Sequence, residues 1–168
     1  MHKLTIAMKG ICISGMMLSL FGCNCMTPAT LDSAAANAIK HDVRQMASSI
    51  ARDIAVDGPA AWLRYFTGGP EFFMANNGNL QFANYRDAET FLGEFSKGVA
   101  HLELTWVEIR VDPLAPDLAV MASPYREVLT DTEGHVRQLD GYFTGLAVKI
   151  EGSWKLRNAH WSSPASSK

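Results

Sequence analysis

Asp140, Tyr142 and His160 are the side chains whose types and placement can do chemistry in this sequence. In the stretch from Trp154 onward, Lys155 and Arg157 belong in water, so strand alternation sets Trp154, Leu156, Asn158 and His160 on the opposite, covered face. In the stretch before it, Lys149 marks the solvent side and turns Val148, Leu146, Thr144, Tyr142 and Asp140 inward. Antiparallel pairing about a turn at Glu151-Gly152 then brings Asp140 and Tyr142 near His160, and Thr144 near Asn158 or His160. A one-residue bulge in either strand undoes that match. A carboxylate, an imidazole and a phenol meeting in an apolar cavity are the parts of general acid-base catalysis. Burial tunes the Asp or His toward neutral pH, and the Tyr donates to a developing oxyanion. The competing reading leaves Asp140 solvated near its strand start and has His160 hydrogen-bond a backbone carbonyl at the sheet's end.

A second pair of candidates lies on the stretch Leu118 to Thr130, where Arg126 and Glu127 cannot both face a cavity. If Met121, Ser123 and Tyr125 point inward, Glu127 is a further acid; if Val120 and Ala122 do, Arg126 receives an anionic ligand. Sequence leaves this open. His41, His101 and His135 lack the spacing of a metal site, and no phosphate-cradling glycine loop or nucleophile elbow is present. No metal and no cofactor is expected. All three cysteines, Cys12, Cys23 and Cys25, fall in the first 25 residues, so the body of the chain has no thiol for a disulfide, a zinc cluster or a nucleophile. With Lys3 and Lys9 set aside as leader, 13 basic side chains face 17 acidic ones, a net charge of −4. Such a domain has no clustered cations with which to neutralise phosphates, so nucleic acid is not an expected partner.

These residues need elements to hold them. Ile39, Val43, Met46, Ile50 and Ile54 recur at steps of four, three, four and four, which predicts a helix over Ala34 to Val56 with one greasy face. Asp57 is placed to cap a second short helix with Pro59 in its first turn, stopped at Gly68-Gly69-Pro70. Asn76-Asn77-Gly78 predicts a tight hairpin between Glu71 to Ala75 and Asn79 to Ala83, and a third helix is expected over Arg86 to Lys97. Beyond Gly98 the pattern turns to alternation. It predicts four long antiparallel strands over His101 to Val111, Leu118 to Thr130, Val136 to Ile150 and Trp154 to Ser162, with a bulge or bend at Pro124. In the first of these strands the covered side changes near Trp106, which predicts a bulge there or burial of both faces by a partner subunit.

Two helices, a short hairpin, a helix and a meander of long strands resemble the nuclear transport factor 2-like superfamily, in particular its SnoaL-like polyketide cyclase branch. The first helix running into Asp57-Gly58-Pro59-Ala60-Ala61-Trp62 and the closing Val148-Lys149-Ile150-Glu151-Gly152-Ser153-Trp154-Lys155-Leu156 carry the resemblance, which covers about Ala34 to Pro164. It implies an α+β fold in which N-terminal helices pack on a strongly curved, mainly antiparallel sheet. That cone would hold an apolar pocket, and a homodimer would form through the sheet. The expected pocket residues are Trp62, Tyr65, Phe66, Phe91, Phe95, Trp106, Tyr125, Thr144 and Asn158. The superfamily also includes ketosteroid isomerases, but the first helix here has no Tyr where those enzymes place an oxyanion donor.

The N-terminus carries a separate message. Lys3 and Lys9 precede about 12 weakly polar residues, Gly10 to Phe21, which suits a secretory signal and falls short of the roughly 20 that span a bilayer. Leu20-Phe21-Gly22-Cys23 resembles the lipobox of bacterial lipoproteins, in which the leader is removed and the cysteine acquires lipid. The expected organisation is a signal over residues 1–22, lipidation at Cys23, a tether over 23–33, one domain over 34–164 and a tail over 165–168. The leading expectation is a lipid-anchored cell-envelope protein that binds a small apolar or amphipathic ligand. The alternatives are a cofactor-free cyclase, dehydratase or isomerase working through Asp140, His160 and Tyr142, and an envelope scaffold whose cone is filled by its own side chains.

Overall fold

The computed structural model describes residues 31–164. The signal, Cys23, most of the tether and the tail lie outside the described residues. Helix α1 (Ser33–Asp57) buries the five spaced residues Ile39, Val43, Met46, Ile50 and Ile54 along one stripe. Each contributes about 1.5–3 kcal/mol by leaving water. Asp32 starts the helix by accepting the Ala35 N–H at 2.7 Å, and Gly58, at φ +77°, ends it with its own N–H on the Ile54 carbonyl. Asp57 does not cap the next element. Its carboxylate accepts from Arg64 Nη1 at 2.6 Å, while Pro59–Tyr65 wind as a 3-10 helix.

Strands β1 (Phe73–Asn76) and β2 (Asn79–Phe82) form the expected hairpin, with Asn77 and Gly78 both at positive φ. Helix α2 (Tyr85–Phe95) follows, capped by Asn84, and ends in a 3-10 turn, Ser96–Gly98. Then come β3 (Val99–Trp106), β4 (Arg110–Ala115), β5 (Leu118–Asp131), β6 (Val136–Ile150) and β7 (Ser153–Ser162). All seven strands form one sheet in the order β2-β1-β7-β6-β5-β3, with β4 continuing the edge on β5. Every pairing is antiparallel except β1 with β7. The helices pack on one face of this curled sheet, and Trp106 Nε1 ties α1 to β3 by donating to the Ala47 carbonyl at 2.9 Å.

Four strand expectations need correction. The single strand expected over His101 to Val111 is two, because the ladder fails opposite Pro124, which has no N–H to give. Only Val107 N still reaches the Pro124 carbonyl, and residues 107–109 loop out, which changes the covered side as expected near Trp106. The irregularity therefore sits in the neighbour of Pro124, while β5 pairs with β6 without a break from Leu118 to Thr130.

Lys149 does not mark the solvent face of β6. It lies on the helix side at the strand's end, where its stem crosses Trp154 and its ammonium reaches Asp42 of α1 at 3.3 Å. The inward row is accordingly Phe143, Gly145 and Ala147, all buried, and Asp140, Tyr142, Thr144, Leu146 and Val148 take the outer face. In β7, Trp154 and Leu156 point inward as expected. A bulge then intervenes: Ala147 pairs with Leu156 but Leu146 pairs with Asn158, so Arg157 is the extra residue. Past it the inward positions are Ala159 and Trp161, and Asn158 and His160 are turned outward.

Candidate functional site

Between the sheet and the helices the fold leaves a cavity of about 300 Å³. The 3-10 helix after α1 contributes Pro59 and Trp62, with Phe66 just past its end; α2 contributes Phe91, Leu92 and Phe95; the hairpin contributes Met74, Asn76, Asn77, Gln81 and Phe82. From the sheet come Leu102, Tyr125, Glu127, Leu139 and Trp161, with Ser163 just beyond β7. The cone is hollow, so the filled-cone expectation does not describe it. The hairpin is held against the end of β7 by a reciprocal clamp, in which Ser163 N donates to Asn77 Oδ1 at 2.8 Å and Asn77 Nδ2 donates to Ser163 Oγ at 3.1 Å.

Trp161 organises the aromatic wall. Its ring lies edge-on to Tyr125, Phe143 and Trp62 at centroid distances of 4.6, 4.8 and 5.4 Å, and stacks on Trp106 at 5.9 Å. Such contacts fix ring orientation beyond what area burial alone does. Trp161 is absent from the residues expected to line the pocket, because only the bulge at Arg157 turns it inward.

Among the described residues Glu127 is the one carboxylate in the lining. The inward alternative for Met121, Ser123 and Tyr125 is the one realised, and Glu127 follows from it by alternation. Its cross-strand neighbours are Leu104 on β3 and Leu139 on β6, so nothing charged flanks it, and it forms no ion pair among the described residues. Burial raises its pKa above the ordinary carboxylate range. The folded chain therefore holds this proton more tightly than the unfolded one. The resulting stability is fully present below the unfolded pKa and is lost as pH rises through the raised value. Tyr125, two residues earlier on the same face, is also shifted upward, first by burial and then by the charges of Glu127 and Asp140, so its hydroxyl stays a donor.

Of the expected pocket residues, Trp62, Phe66, Phe91, Phe95 and Tyr125 line the cavity. Trp106 stands behind the wall, against Phe143 and Trp161. Tyr65 faces α1, donating to Asp53 Oδ2 at 2.6 Å, and burial with that bond pushes its pKa up to about 12. Thr144 and Asn158 are on the outer face of the sheet.

The expected acid-base group is not assembled in the cone. Asp140 is exposed and accepts from Arg126 Nε at 2.8 Å and from Gln138 Nε2 at 2.7 Å, bonds that hold its pKa below the usual value. His160 pairs across the strands with Thr144, and Tyr142 with Ser162, on the same outer face. On that outer face the register sets His160 diagonal to Tyr142, whereas Asp140 lies four positions along β6 from Thr144, the partner of His160, so the three do not converge. Arg126, pointing outward to Asp140, receives no ligand in the cone. No three His, Cys, Asp or Glu side chains among the described residues cluster as metal ligands do. No described helix is long and apolar enough to cross a membrane.

No family model and no curated protein sequence matches this chain. Solved structures do. A nuclear transport factor 2-like superfamily protein from Salmonella enterica superposes with a TM-score of 0.66 at 17% identity, over 79% of this chain and 95% of that one. A putative scytalone dehydratase from Novosphingobium aromaticivorans gives 0.72 at 12% identity, over 80% and 89%. A hexachlorocyclohexane dehydrochlorinase gives 0.62 at 8% identity, over 81% and 95%. At such identities the likeness concerns backbone arrangement, and it agrees with the helices, the curled sheet and the hollow described above: this chain has the nuclear transport factor 2-like fold.

Proposed function

We propose that this chain is an exported, lipid-anchored protein of the bacterial cell envelope whose cone holds a small, largely apolar molecule. The observation that carries the reading is the cavity itself, about 300 Å³ walled by aromatic and aliphatic side chains with few polar groups. That is the composition of small-molecule sites. Native mass spectrometry of the protein purified from its own host is expected to give a species heavier than the chain by one small molecule, released on denaturation. Bare protein in repeated preparations, with no uptake of apolar probes, would overturn the reading. Anchoring rests on Leu20-Phe21-Gly22-Cys23 behind Lys3, Lys9 and the apolar run. Cys23→Ser is expected to move the protein from the membrane fraction to the soluble one, and unchanged fractionation would refute the anchor.

One observation favours a second reading, cofactor-free proton transfer on the bound guest. Glu127 is isolated, partly buried and raised in pKa beside a protonated Tyr125, so it can take a proton while Tyr125 donates to a developing oxyanion. Two of the similar structures are named for elimination chemistry, a dehydratase and a dehydrochlorinase. Where the proton transfer drives elimination, Glu127 taking the proton as the leaving group departs to solvent, the same mass measurement is expected to show two guests differing by the mass of the expelled molecule.

A further inference from the structure

The cavity has a charge balance that a purely apolar guest does not satisfy. Of the seventeen described residues that line it, Glu127 alone carries a full charge; among the described residues no Lys, Arg or His reaches the wall. The nearest cation along the strand, Arg126, points through the opposite face of the sheet, where Asp140 occupies it. Across the strands Glu127 meets only Leu104 and Leu139. A partly buried carboxylate with no partner is under-satisfied, and a bound group that supplies N–H donors and positive charge completes it. An anionic guest would add a second unpaired negative charge, and a neutral hydrocarbon would leave the first one as it is.

The rest of the wall suits the same guest. Trp62, Phe91, Phe95 and Trp161 present π-systems around the cavity, whose electron-rich faces attract cations as well as apolar groups. Asn76 and Gln81 bring amide oxygens that can accept further N–H bonds. We propose that the cone selects amphipathic amines: an ammonium group set against Glu127 with an aromatic or aliphatic body among the surrounding rings. This rests on the reading of the cone as a binding cavity and adds the chemical class of what it binds.

Three probes of nearly equal shape separate the two ideas: naphthylmethylamine, ethylnaphthalene and naphthoate, titrated calorimetrically into the purified full chain at neutral pH. The amine is expected to bind about tenfold or more tighter than the neutral hydrocarbon, as a charge-assisted hydrogen bond warrants, and the carboxylate weakest of all. In Glu127→Gln the advantage of the amine over the hydrocarbon should vanish, while Arg126→Gln, on the far face, should leave the ranking intact. The glutamine variant removes an unpaired, partly buried charge, so it is expected to fold, which circular dichroism checks. Equal binding of amine and hydrocarbon, or a ranking that survives Glu127→Gln, overturns the selectivity and leaves the cavity reading standing. Binding by none of the three overturns the cavity reading, and the selectivity with it.

Discussion

Phe143→Ala is expected to cost about 3–5 kcal/mol of folding stability, whereas Tyr142→Ala, one residue away, should stay within about 1 kcal/mol. The contrast follows from which side of β6 faces the helices. Phe143 is 0% exposed and packs on Trp106 and Trp161 with centroids 5.1 and 4.8 Å away, so truncation empties a space that the fixed rings around it cannot refill. Tyr142 is 38% exposed on the outer face and loses mainly solvated surface. Chemical denaturation of both variants reads the difference directly. Comparable losses, or a larger one at Tyr142, would mean that the sheet presents its other face to the core and that the cavity described here does not exist. Because Phe143 backs Trp161, loss of the ring should also loosen the cavity wall in variants that still fold.

Gly141→Ala should destabilise the protein by about 2–3 kcal/mol. In an open strand position the same change would be mildly favourable, since glycine gives up roughly 0.5–1 kcal/mol more backbone entropy than alanine. Sterics overrule that gain here. An added Cβ falls far inside contact distance of the Ser162 carbonyl oxygen and 2.6 Å from Tyr125 Oη. The Tyr125 ring can shift, but the Ser162 carbonyl belongs to the β6–β7 ladder at the Tyr142 to Ser162 pair and cannot move without opening it. Gly93→Ala is the control of opposite sign: it lies within α2 with nothing near its Cβ position, and the substitution should stabilise by about 0.5–1 kcal/mol. A neutral Gly141→Ala would show that Tyr125 does not lie over Gly141, and so that the ring is not fixed at the cavity wall.

Much of the architecture was legible in the residues. Ile39 to Ile54 at helical spacing gave α1 to within one residue at each end, because a stripe of five large apolar side chains admits a single period. Asn77-Gly78 gave the hairpin, since few other pairs take positive φ twice in succession. Short turns forced β5, β6 and β7 into an antiparallel meander, and the resemblance drawn from that order led to the cone and to five of its wall residues.

What failed was the direction in which strands face, and the cause is the period of two. On a strand one misplaced residue inverts every side chain beyond it. Lys149 is exposed, but it does not mark the solvent side of the sheet: it sits on the helix side and carries its charge out to Asp42. Arg157 was counted as an ordinary strand residue, yet it is the bulge that exchanges His160 for Trp161. Glu127 and Arg126 were a true tie, because neighbours of opposite charge fit either face until packing picks one. Periodicity and turn chemistry, being local, determined the elements and their order; the facing of Glu127 was decided only when Met121, Ser123 and Tyr125 packed beneath the helices, since burial on one side of a sheet is a property of the whole assembly and of no single strand.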